Sequence, residues 1–495
     1  MKKILLAVNL LVLLLTACKK ENPFVSPENL LLSFQITVAN NTEIIAKDIN
    51  FLLGDTLLVG VLGSASGKTS LIANFTMSGV TVSVDGITQI SGVTKNDFTN
   101  PLIYIVTASN GLQKRYTVKL RTFTGLPILT ITTDAQVVSK EYYANGSMKV
   151  NGNFDFTDGL YDGKIQIKLR GNSTFYADKK SYKIKLSSKS VILGMPADKE
   201  WALLANYYDN TLIRNDVAFE LSERIGLAWT PRRRFVEVIM NGEYIGNYLL
   251  TETVKIGTDR LNITSMDINK PAEKTGGYLV EAAQNLDGAQ WFRTASTVPV
   301  VLKEPTPLSD SQFIFIRNQF QSMEDNISNH VDVRQQIDLD SWIKWIIVNE
   351  VMRNRDATLY GSCFLYGKND KIYMGPVWDF DLSSGGYDGN VPEGWYVHYS
   401  NWIGGLFFYH PYYKERFKQI WSEKYSLISS INNYIKADAA QLKYSQKENF
   451  VRWKILNTSN YEGQIFSGNY PGEVDHLSNF LQQRINWINT QVNSW

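Results

Sequence analysis

The sequence predicts an α+β protein with a small all-β domain, of the immunoglobulin-like sandwich type, ahead of a larger domain. That larger domain is expected to be rich in strands in its first half and helical in its second. Residues 34–38 alternate between apolar and polar, which is typical of a half-buried strand. Asn241-Gly242 stands between two apolar segments, a strong hairpin signal. Residues 211–225 carry apolar side chains at helical spacing.

Length and composition are those of a globular protein with more than one core. The chain has 495 residues, of which 44% are hydrophobic and 20% are charged. That length exceeds one ordinary domain, and the mixture is not that of a disordered chain. The formal net charge is only +2, so no overall field attracts a polyanion. We therefore expect no nucleic-acid partner.

The N-terminus has the pattern of an export signal. Lys2 and Lys3 precede an apolar run over residues 4–15, which is too short to span a bilayer. The run ends in Leu15-Thr16-Ala17-Cys18, which resembles the lipobox of bacterial lipoproteins. This resemblance implies cleavage before Cys18 and a lipid on its sulfur. We expect a signal peptide over 1–17, a polar tether over 18–29, and a lipid anchor holding the protein in the cell envelope, outside the cytoplasm.

Two folded regions are predicted after the tether. Residues 30–122 are expected to form the β-sandwich module, with Asn110-Gly111 as a turn between two of its strands and a spacer as its simplest role. Residues 127–495 form the larger domain. Its predicted strands lie near 128–132, 164–170 and 181–186, with a hairpin over 235–240 and 243–250. Its predicted helices lie near 211–225, after Asp340, and near 412–440 and 475–492.

Two aspartates stand at the two ends of one predicted hairpin. Asp356 precedes a strand near 362–366, the chain turns at Asn369-Asp370, and the second strand leads to Asp379, with Asp381 as a third carboxylate. A hairpin brings its ends together, so both carboxylates can face one site. Protein kinases place a catalytic and a metal-binding aspartate in this order, and Mg²⁺ prefers such oxygen ligands. Either aspartate alone is as well explained as a turn or capping residue.

A small polar loop precedes a lysine-bearing strand. Gly171, Asn172 and Ser173 follow the strand near 164–170, and Lys180 and Lys183 lie on the return. Small residues let backbone N–H groups approach phosphate oxygens, and lysines neutralise their charge. A surface hairpin with a solvated lysine face has the same pattern, so both interpretations stay open.

Several strings, taken together, resemble the CotH kinase family, named for the spore-coat protein H. They occur in the family's order and cover about residues 127–495. The strings are RGNST with KKSYKIKL, YD with LIRND, VEVIMNGEYIGNYLLTETV, GGYLVE and GPVWDFD. The resemblance implies a two-lobed atypical protein-kinase-like domain that transfers the γ-phosphate of ATP to serine or threonine of a protein, using Mg²⁺, Mn²⁺ or Ca²⁺.

The resemblance also implies roles for individual residues. Asp356 would be the catalytic aspartate, and Asp379 and Asp381 would hold the metal. The nucleotide-binding residues would be Gly171, Asn172, Ser173, Lys180, Lys183, Arg214, Glu281 and Trp378. Trp378 fits a contact with adenine and a place in the core equally well. The loop after Asp356 departs from the ordinary kinase pattern, because position 361 is Gly and not the metal-binding Asn.

Two alternatives to an active kinase follow from the same residues. ATP is scarce outside the cytoplasm, so an exported chain can keep the fold as an inactive surface scaffold or adhesion protein. The intact aspartates favour activity over that alternative. A glycan-processing or glycan-binding protein is a third interpretation, since carboxylates among aromatic residues such as Trp395 and Trp402 suit a glycosidase.

Overall fold

The structure is a computed structural model that describes residues 28–63, 67–286, 290–387 and 389–495, without the side chains of Leu52 and Ser173. The chain divides into two compact units, Met1–Gly125 and Leu126–Trp495. Each is described by itself. The predictions for residues 1–27, including the lipidation site Cys18, lie outside the described residues.

The first unit is strand-rich, as the alternating pattern predicts. Its described strands form sheets of three, six and two strands. They are Leu31–Ile36, Ile49–Asn50, Leu52–Leu53, Leu57–Leu62, Leu71–Ile72, Asn74–Met77, Thr81–Val84, Ile87–Thr88, Lys95–Asn96, Leu102–Thr107 and Gln113–Thr122. The core is aromatic, with the ring of Phe34 meeting that of Tyr104 edge-on at 5.0 Å. Among the described strands of the six-stranded sheet, Gln113–Thr122 and Leu57–Leu62 are the one pair that runs parallel.

The second unit begins with a closed seven-stranded barrel. Its strands are Ile128–Thr133, Ala144–Asn151, Asp162–Arg170, Ser181–Ile192, Met195–Leu204, Arg233–Met240 and Glu243–Glu252. The barrel closes because Ile128–Thr133 pairs in parallel with Arg233–Met240. Alternate apolar side chains such as Leu129, Ile167 and Ile184 fill its interior. The predicted Asn241-Gly242 hairpin is confirmed, with both residues at positive φ.

A five-stranded sheet follows the barrel along the chain. Its strands are Tyr278–Ala282, Trp291–Arg293, Pro299–Glu304, Cys363–Lys368 and Lys371–Met374. The last two form the predicted hairpin, and Tyr278–Ala282 pairs with Cys363–Lys368. This pairing places Glu281 opposite Phe364, at the end of the sheet to which the loop of Asp356 leads.

The rest of the unit is helical, which confirms the predicted order of a strand-rich part before a helical part. The helices are Arg214–Ile225, Asp310–Ser328, Leu339–Met352, Asn401–Tyr409, Pro411–Ser429, Ile431–Gln441, Ser445–Arg452 and Tyr470–Asn493. They surround an apolar core that includes Trp342, Trp402 and Trp421. Within the described residues, every helix is too short or too polar to cross a membrane.

Two helix boundaries differ from the sequence prediction for local reasons. The helix expected from residue 211 begins at Arg214, because the Asp209 carboxylate accepts hydrogen bonds from the backbone N–H of Thr211 and of Arg214, at 2.9 and 2.8 Å. That carboxylate fixes the preceding turn in a non-helical form. The single helix expected over 412–440 is two helices, which meet at Ser430.

A buried lysine joins the barrel to the helical part. Lys179 is fully buried, and its ammonium group donates to the carbonyl oxygens of Ala205, at 2.7 Å, and of Asn247. It also donates to the side-chain oxygen of Asn449, at 2.9 Å, on the helix Ser445–Arg452. Three acceptors match the three N–H donors of a charged lysine.

Candidate functional site

A polar cavity of about 290 Å³ lies between the end of the barrel, the five-stranded sheet and the loop after the hairpin. Arg170 and Gly171 line it from the barrel, and Glu281 and Lys303 line it from the sheet. The loop after the hairpin contributes Asp379 and Asp381 to the same lining. Three separate parts of the chain thus bring opposite charges to one opening.

Asp356 lies in the loop that follows the helix Leu339–Met352. Burial, and after it the charge of Asp379, raises the pKa of the Asp356 carboxyl to about 6. Arg355 acts in the opposite direction. The electrostatic effect of Asp379 on Asp356 means that the two aspartates at the ends of the hairpin lie near each other, although Asp356 is not part of the cavity lining.

Asp379 is held in an unusual backbone conformation. Its φ of +70° lies in the left-handed region, which L-residues other than Asn, Asp and Gly seldom adopt. The Ser362 hydroxyl donates to its carboxylate at 2.9 Å, and the Asn354 amide donates to its backbone carbonyl at 3.1 Å. These contacts aim the carboxylate into the cavity and fix it to the loop of Asp356.

Asp381 is a buried carboxyl among like charges. Only 9% of the residue is exposed. Burial raises its pKa well above the ordinary value, and the charges of Asp379, Asp356 and Asp209 raise it further. Carboxyl groups in such a cluster resist ionising together unless a cation joins them.

Two cations of the cavity were not among the residues predicted from the sequence. Arg170 lies among Asp379, Glu281 and Asp381, whose charges partly offset the lowering of its pKa by burial. Lys303 forms an ion pair with Glu281 at 2.9 Å. Arg170 opens the RGNST string, but a strand-end arginine normally points into solvent, so the pattern alone gave no signal for its place.

The helix Arg214–Ile225 positions the loop that carries Asp379 and Asp381. The Asn215 side-chain oxygen accepts a hydrogen bond from the backbone N–H of Phe380 at 2.8 Å. The Arg214 guanidinium is buried, pairs with Asp209 and donates to the carbonyl of Ser383 at 3.0 Å. Arg214 therefore holds the loop and does not line the cavity.

The predicted phosphate loop lies at the cavity edge. Gly171 has a φ of +96°, and a Cβ there would collide with the Thr174 hydroxyl, so glycine is required. The Asn172 side-chain oxygen accepts from the Asn285 amide at 3.4 Å. Ser173 begins the short 3₁₀ turn Ser173–Phe175.

The remaining predicted nucleotide-binding residues are engaged away from the cavity lining. Lys180 donates to the carbonyl of Phe175 at 2.7 Å, and Lys183 pairs with Glu200 at 3.0 Å. The Arg170 guanidinium lies over the Trp378 ring, 5.1 Å from the ring centre. The Trp378 ring in turn contacts the ring of Phe219, with 5.9 Å between the ring centres. Trp378 therefore packs against Arg170 and helps to hold it in place.

The oxygen ligands at the cavity fit a hard divalent cation. Asp379 and Asp381 supply two carboxylates, and a cation would relieve the repulsion between them, which adds to burial in raising the pKa of Asp381. The described residues contain no group of three or more His, Cys, Asp or Glu arranged to hold a metal. A cation here would depend on other oxygens, as Mg²⁺ does when phosphates and water complete its shell.

The fold is that of a mixed α+β protein with a strand-rich part before a helical part. A family model described as "CotH kinase protein" matches residues 167–488, well over half of the chain, and the chain belongs to this family.

Comparison with individual proteins adds little. No curated protein matches the chain. Among solved structures, a "putative glycoside hydrolase" from Bacteroides thetaiotaomicron is 19% identical, with a TM-score of 0.16. The match covers 34% of this chain and 54% of that one, so the chain spans about half the length of that protein.

Proposed function

We propose that this protein is an atypical protein kinase that transfers the γ-phosphate of ATP to a serine or threonine hydroxyl of a protein, with a divalent cation, in a two-lobed domain. The observation that supports it most is the placing of Asp356, Asp379 and Asp381 within electrostatic reach of one another, next to a cavity that also holds Arg170 and Lys303.

Asp356 has the properties of a general base in this scheme. Its pKa of about 6 leaves it ionised at neutral pH, yet more basic than an exposed aspartate. It would accept the proton of the substrate hydroxyl as that oxygen attacks the γ-phosphorus. The proton moves to the Asp356 carboxylate while the bond between the γ-phosphorus and the bridging oxygen breaks.

Asp379 and Asp381 would hold Mg²⁺ or Mn²⁺, with Ca²⁺ as a further candidate. A bound divalent cation neutralises phosphate charge during transfer. The chain itself aims the Asp379 carboxylate through Ser362 and fixes the loop through Asn215. Arg170 and Lys303, which line the cavity beside these carboxylates, would bind phosphate oxygens.

The adenine would lie in the apolar part of the same cavity. Leu204 and Ala205 line it from the barrel, and Ala283 and Val301 line it from the sheet. Small aliphatic side chains on two faces can enclose a flat base. This assignment replaces the adenine contact that the sequence suggested for Trp378.

We also propose where the protein acts. The residues up to Cys18 support a lipid anchor in the cell envelope, outside the cytoplasm, and the strand-rich first unit would be an immunoglobulin-like spacer on the tether. Replacing Cys18 with Ser and following the protein between membrane and soluble fractions tests the anchor.

The first test of the kinase proposal is binding of Mg·ATP measured by calorimetry. Asp379→Asn removes one ligand charge with little change in shape, so we expect the affinity for Mg·ATP to fall at least 100-fold. Asp332→Asn is the matched control, because that aspartate is half-exposed, pairs with Arg334 and does not line the cavity. Equal binding by wild type and Asp379→Asn would remove the metal assignment.

The second test separates binding from transfer. Asp356→Asn should retain Mg·ATP affinity within about threefold, because Asp356 does not line the cavity, while transfer of labelled γ-phosphate falls by a factor of about 10²–10⁴. If the wild type binds Mg·ATP yet transfers no label to itself or to generic protein substrates with Mg²⁺, Mn²⁺ or Ca²⁺, the inactive scaffold or adhesion protein becomes the better interpretation.

A further inference from the structure

A groove of about 710 Å³ lies on the barrel and shares no lining residue with the cavity of the proposed kinase site. Its lining comes from the consecutive barrel strands Ile128–Thr133 to Met195–Leu204, together with Asp134 just after the first of them. The proposed kinase mechanism uses none of these side chains. The groove is therefore a separate feature of the barrel surface.

The charged groups of the groove are mainly basic. Lys164, Lys185 and Lys199 line it, against Asp134 as the one acid among the described lining residues. Each of the three lysines is at least partly exposed, and within the described residues each ammonium group is without a hydrogen bond or an ion pair. The groove therefore presents positive charge that the described chain leaves unpaired.

A neighbouring lysine provides a contrast with these three. Lys183 lies on the same strand as Lys185 and forms an ion pair with Glu200 at 3.0 Å. The strand register places Glu200 directly opposite Lys185, yet the Glu200 carboxylate pairs with Lys183. Lys185 is thus left without an acid although one lies on the adjacent strand, and an anionic ligand would supply the missing charge.

The strand Asp162–Arg170 joins the groove to the proposed kinase site. Alternate side chains of this strand fill the barrel interior: Ile165, Ile167 and Leu169. The intervening residues therefore face outward, and of these Lys164 lines the groove while Arg170 lines the kinase cavity. A rise of about 3.3 Å per residue separates Lys164 from Arg170 by about 20 Å along the strand.

The spacing along this outer face matches that of an extended polypeptide. Side chains on one face of any extended chain repeat about every 6.8 Å, so acids at alternate positions of a ligand can meet barrel positions of the same spacing. Gln166 lies opposite Lys185 and donates to the side-chain oxygen of Asn145 at 3.3 Å. The remaining donor and acceptor atoms of these two amides can bind the backbone of such a ligand.

The groove suits an acidic polypeptide better than an anionic membrane. A membrane surface is broad and flat, whereas the three lysines line a concavity that a single chain can enter. Recognition of anionic lipids commonly uses clusters of about four to eight Lys or Arg. Charge complementarity between the groove and a row of carboxylates gives a polypeptide both attraction and specificity.

We propose that this groove binds an acidic segment of the protein substrate in an extended conformation, with carboxylates paired to Lys164, Lys185 and Lys199. That the partner is the substrate rests on the proposed kinase function, because a chain lying along the outer face of Asp162–Arg170 leads to Arg170 at the kinase cavity. The substrate class is then a protein with an acidic stretch about six residues from the phosphorylated hydroxyl.

The first test measures binding alone, with the full-length protein and without ATP. The probe is the fluorescein-labelled peptide Glu-Gln-Glu-Gln-Glu-Gly-Gly-Gly-Gly-Gly-Ser, made also in the reverse order, and in the control peptides every Glu is Gln. Fluorescence anisotropy should show saturable binding of at least one acidic probe, at least tenfold tighter than its control. This binding should weaken at about 0.5 M salt, because salt screens surface charges.

Variants assign the binding to the groove. The double variant Lys164→Gln/Lys185→Gln should weaken the acidic probe at least tenfold. Lys436→Gln is the matched control and should leave binding unchanged, because that lysine is exposed on the helix Ile431–Gln441 and does not line the groove. A double variant that binds the acidic probe as tightly as the wild type would overturn the proposal, and so would equal binding of acidic and control probes by the wild type.

A second arm separates this proposal from the kinase function. In transfer of labelled γ-phosphate, the double variant should raise KM for the acidic probe at least tenfold and leave kcat within about twofold. If the acidic probe binds but no substrate receives label, the groove is supported and the kinase function alone fails. If acidic and control probes bind equally and receive label equally, the groove is overturned and the kinase function stands.

Vesicles test the membrane as the other occupant. Phosphatidylserine vesicles should leave the acidic probe bound, as phosphatidylcholine vesicles do. Displacement of the probe by phosphatidylserine vesicles alone would assign the groove to a membrane surface and overturn the proposal.

Discussion

Two acidic sites lie near the C-terminal end of the helix Leu339–Met352, and their surroundings shift the carboxyl pKa values in opposite directions. Glu350, on the helix, accepts hydrogen bonds from the backbone N–H groups of Tyr396 and His398, from the His398 ring at 2.7 Å and from the Arg484 guanidinium. These partners lower its pKa despite complete burial. Asp356 and Asp381, beyond the helix, have raised pKa values.

The difference separates a structural acid from two acids that we propose to be functional. Around Glu350 the chain supplies enough donors to stabilise the ionised carboxylate, so that the acid joins the helix to residues far along the chain. Around Asp356 and Asp381 burial has the largest effect on the pKa, and neighbouring carboxylates add to it. Titratable groups that a fold leaves uncompensated in this way cluster at functional sites.

The largest expected effect is on the structural acid. Glu350→Gln removes the charge that Arg484 and His398 share, and leaves the fully buried Arg484 without its counter-ion. Breaking a buried pair in this way costs about 3–5 kcal/mol of the free energy of unfolding. Urea denaturation measures it, and Glu415→Gln, at an exposed helix position, should change stability by less than about 0.5 kcal/mol. Similar values for both variants would show that Glu350 is not a structural acid.

The next effect is on the pH dependence of phosphate transfer. Asp356 has a raised pKa of about 6, so its protonated form grows as the pH falls through 6, and the base is lost. We expect kcat/KM to drop about tenfold for each pH unit below the pKa. The stability contribution has the opposite sense, because a raised carboxyl pKa favours the folded state at low pH and this gain is lost as pH rises from about 4 to 6. A pH–rate profile that stays flat down to pH 5 would contradict the role of Asp356.

The smallest effect is a gain in stability at the proposed kinase site. Asp381→Asn replaces a buried acid, which Asp379 and Asp356 repel, with a neutral side chain of the same shape. We expect the free energy of unfolding at pH 8 to rise by about 1 kcal/mol while Mg·ATP binding is lost, a trade of stability for function. Thermal unfolding with and without Mg·ATP measures both. A destabilised Asp381→Asn would place Asp381 with Glu350 as a structural acid.

The sequence predicted the elements of this fold better than the contents of its site. The hairpin between Asp356 and Asp379 was predictable because turn residues and apolar runs act locally. The position of the Arg170 side chain was not predictable, because it depends on packing against Trp378, which lies more than two hundred residues later in the chain. Asn215 was also missed as a positioning residue, since its contact with the Phe380 backbone exists only after the helix packs against the loop.

Two lysines that the sequence placed at the site show the same limit of prediction from sequence. Lys180 and Lys183 were predicted to contact phosphates because they lie on the lysine-bearing return after a small polar loop, in a string that resembles the CotH kinase family. The strand is present, but Lys183 forms an ion pair with Glu200 on the neighbouring strand. Lys180 donates a hydrogen bond to the backbone carbonyl of Phe175. A pattern shows which residue types are near one another, whereas the pairing of distant strands decides what each one contacts.

The buried Lys179 has a consequence for how the protein is made. Two of its acceptors belong to the barrel, but the third, Asn449, lies 270 residues further along the chain. During synthesis the barrel strands leave the ribosome before Asn449 has been made. At that stage the Lys179 ammonium group lacks one of its three acceptors. The barrel therefore reaches its final stability only when nearly the whole polypeptide has been synthesised, which ties its maturation to the completeness of the C-terminal helices.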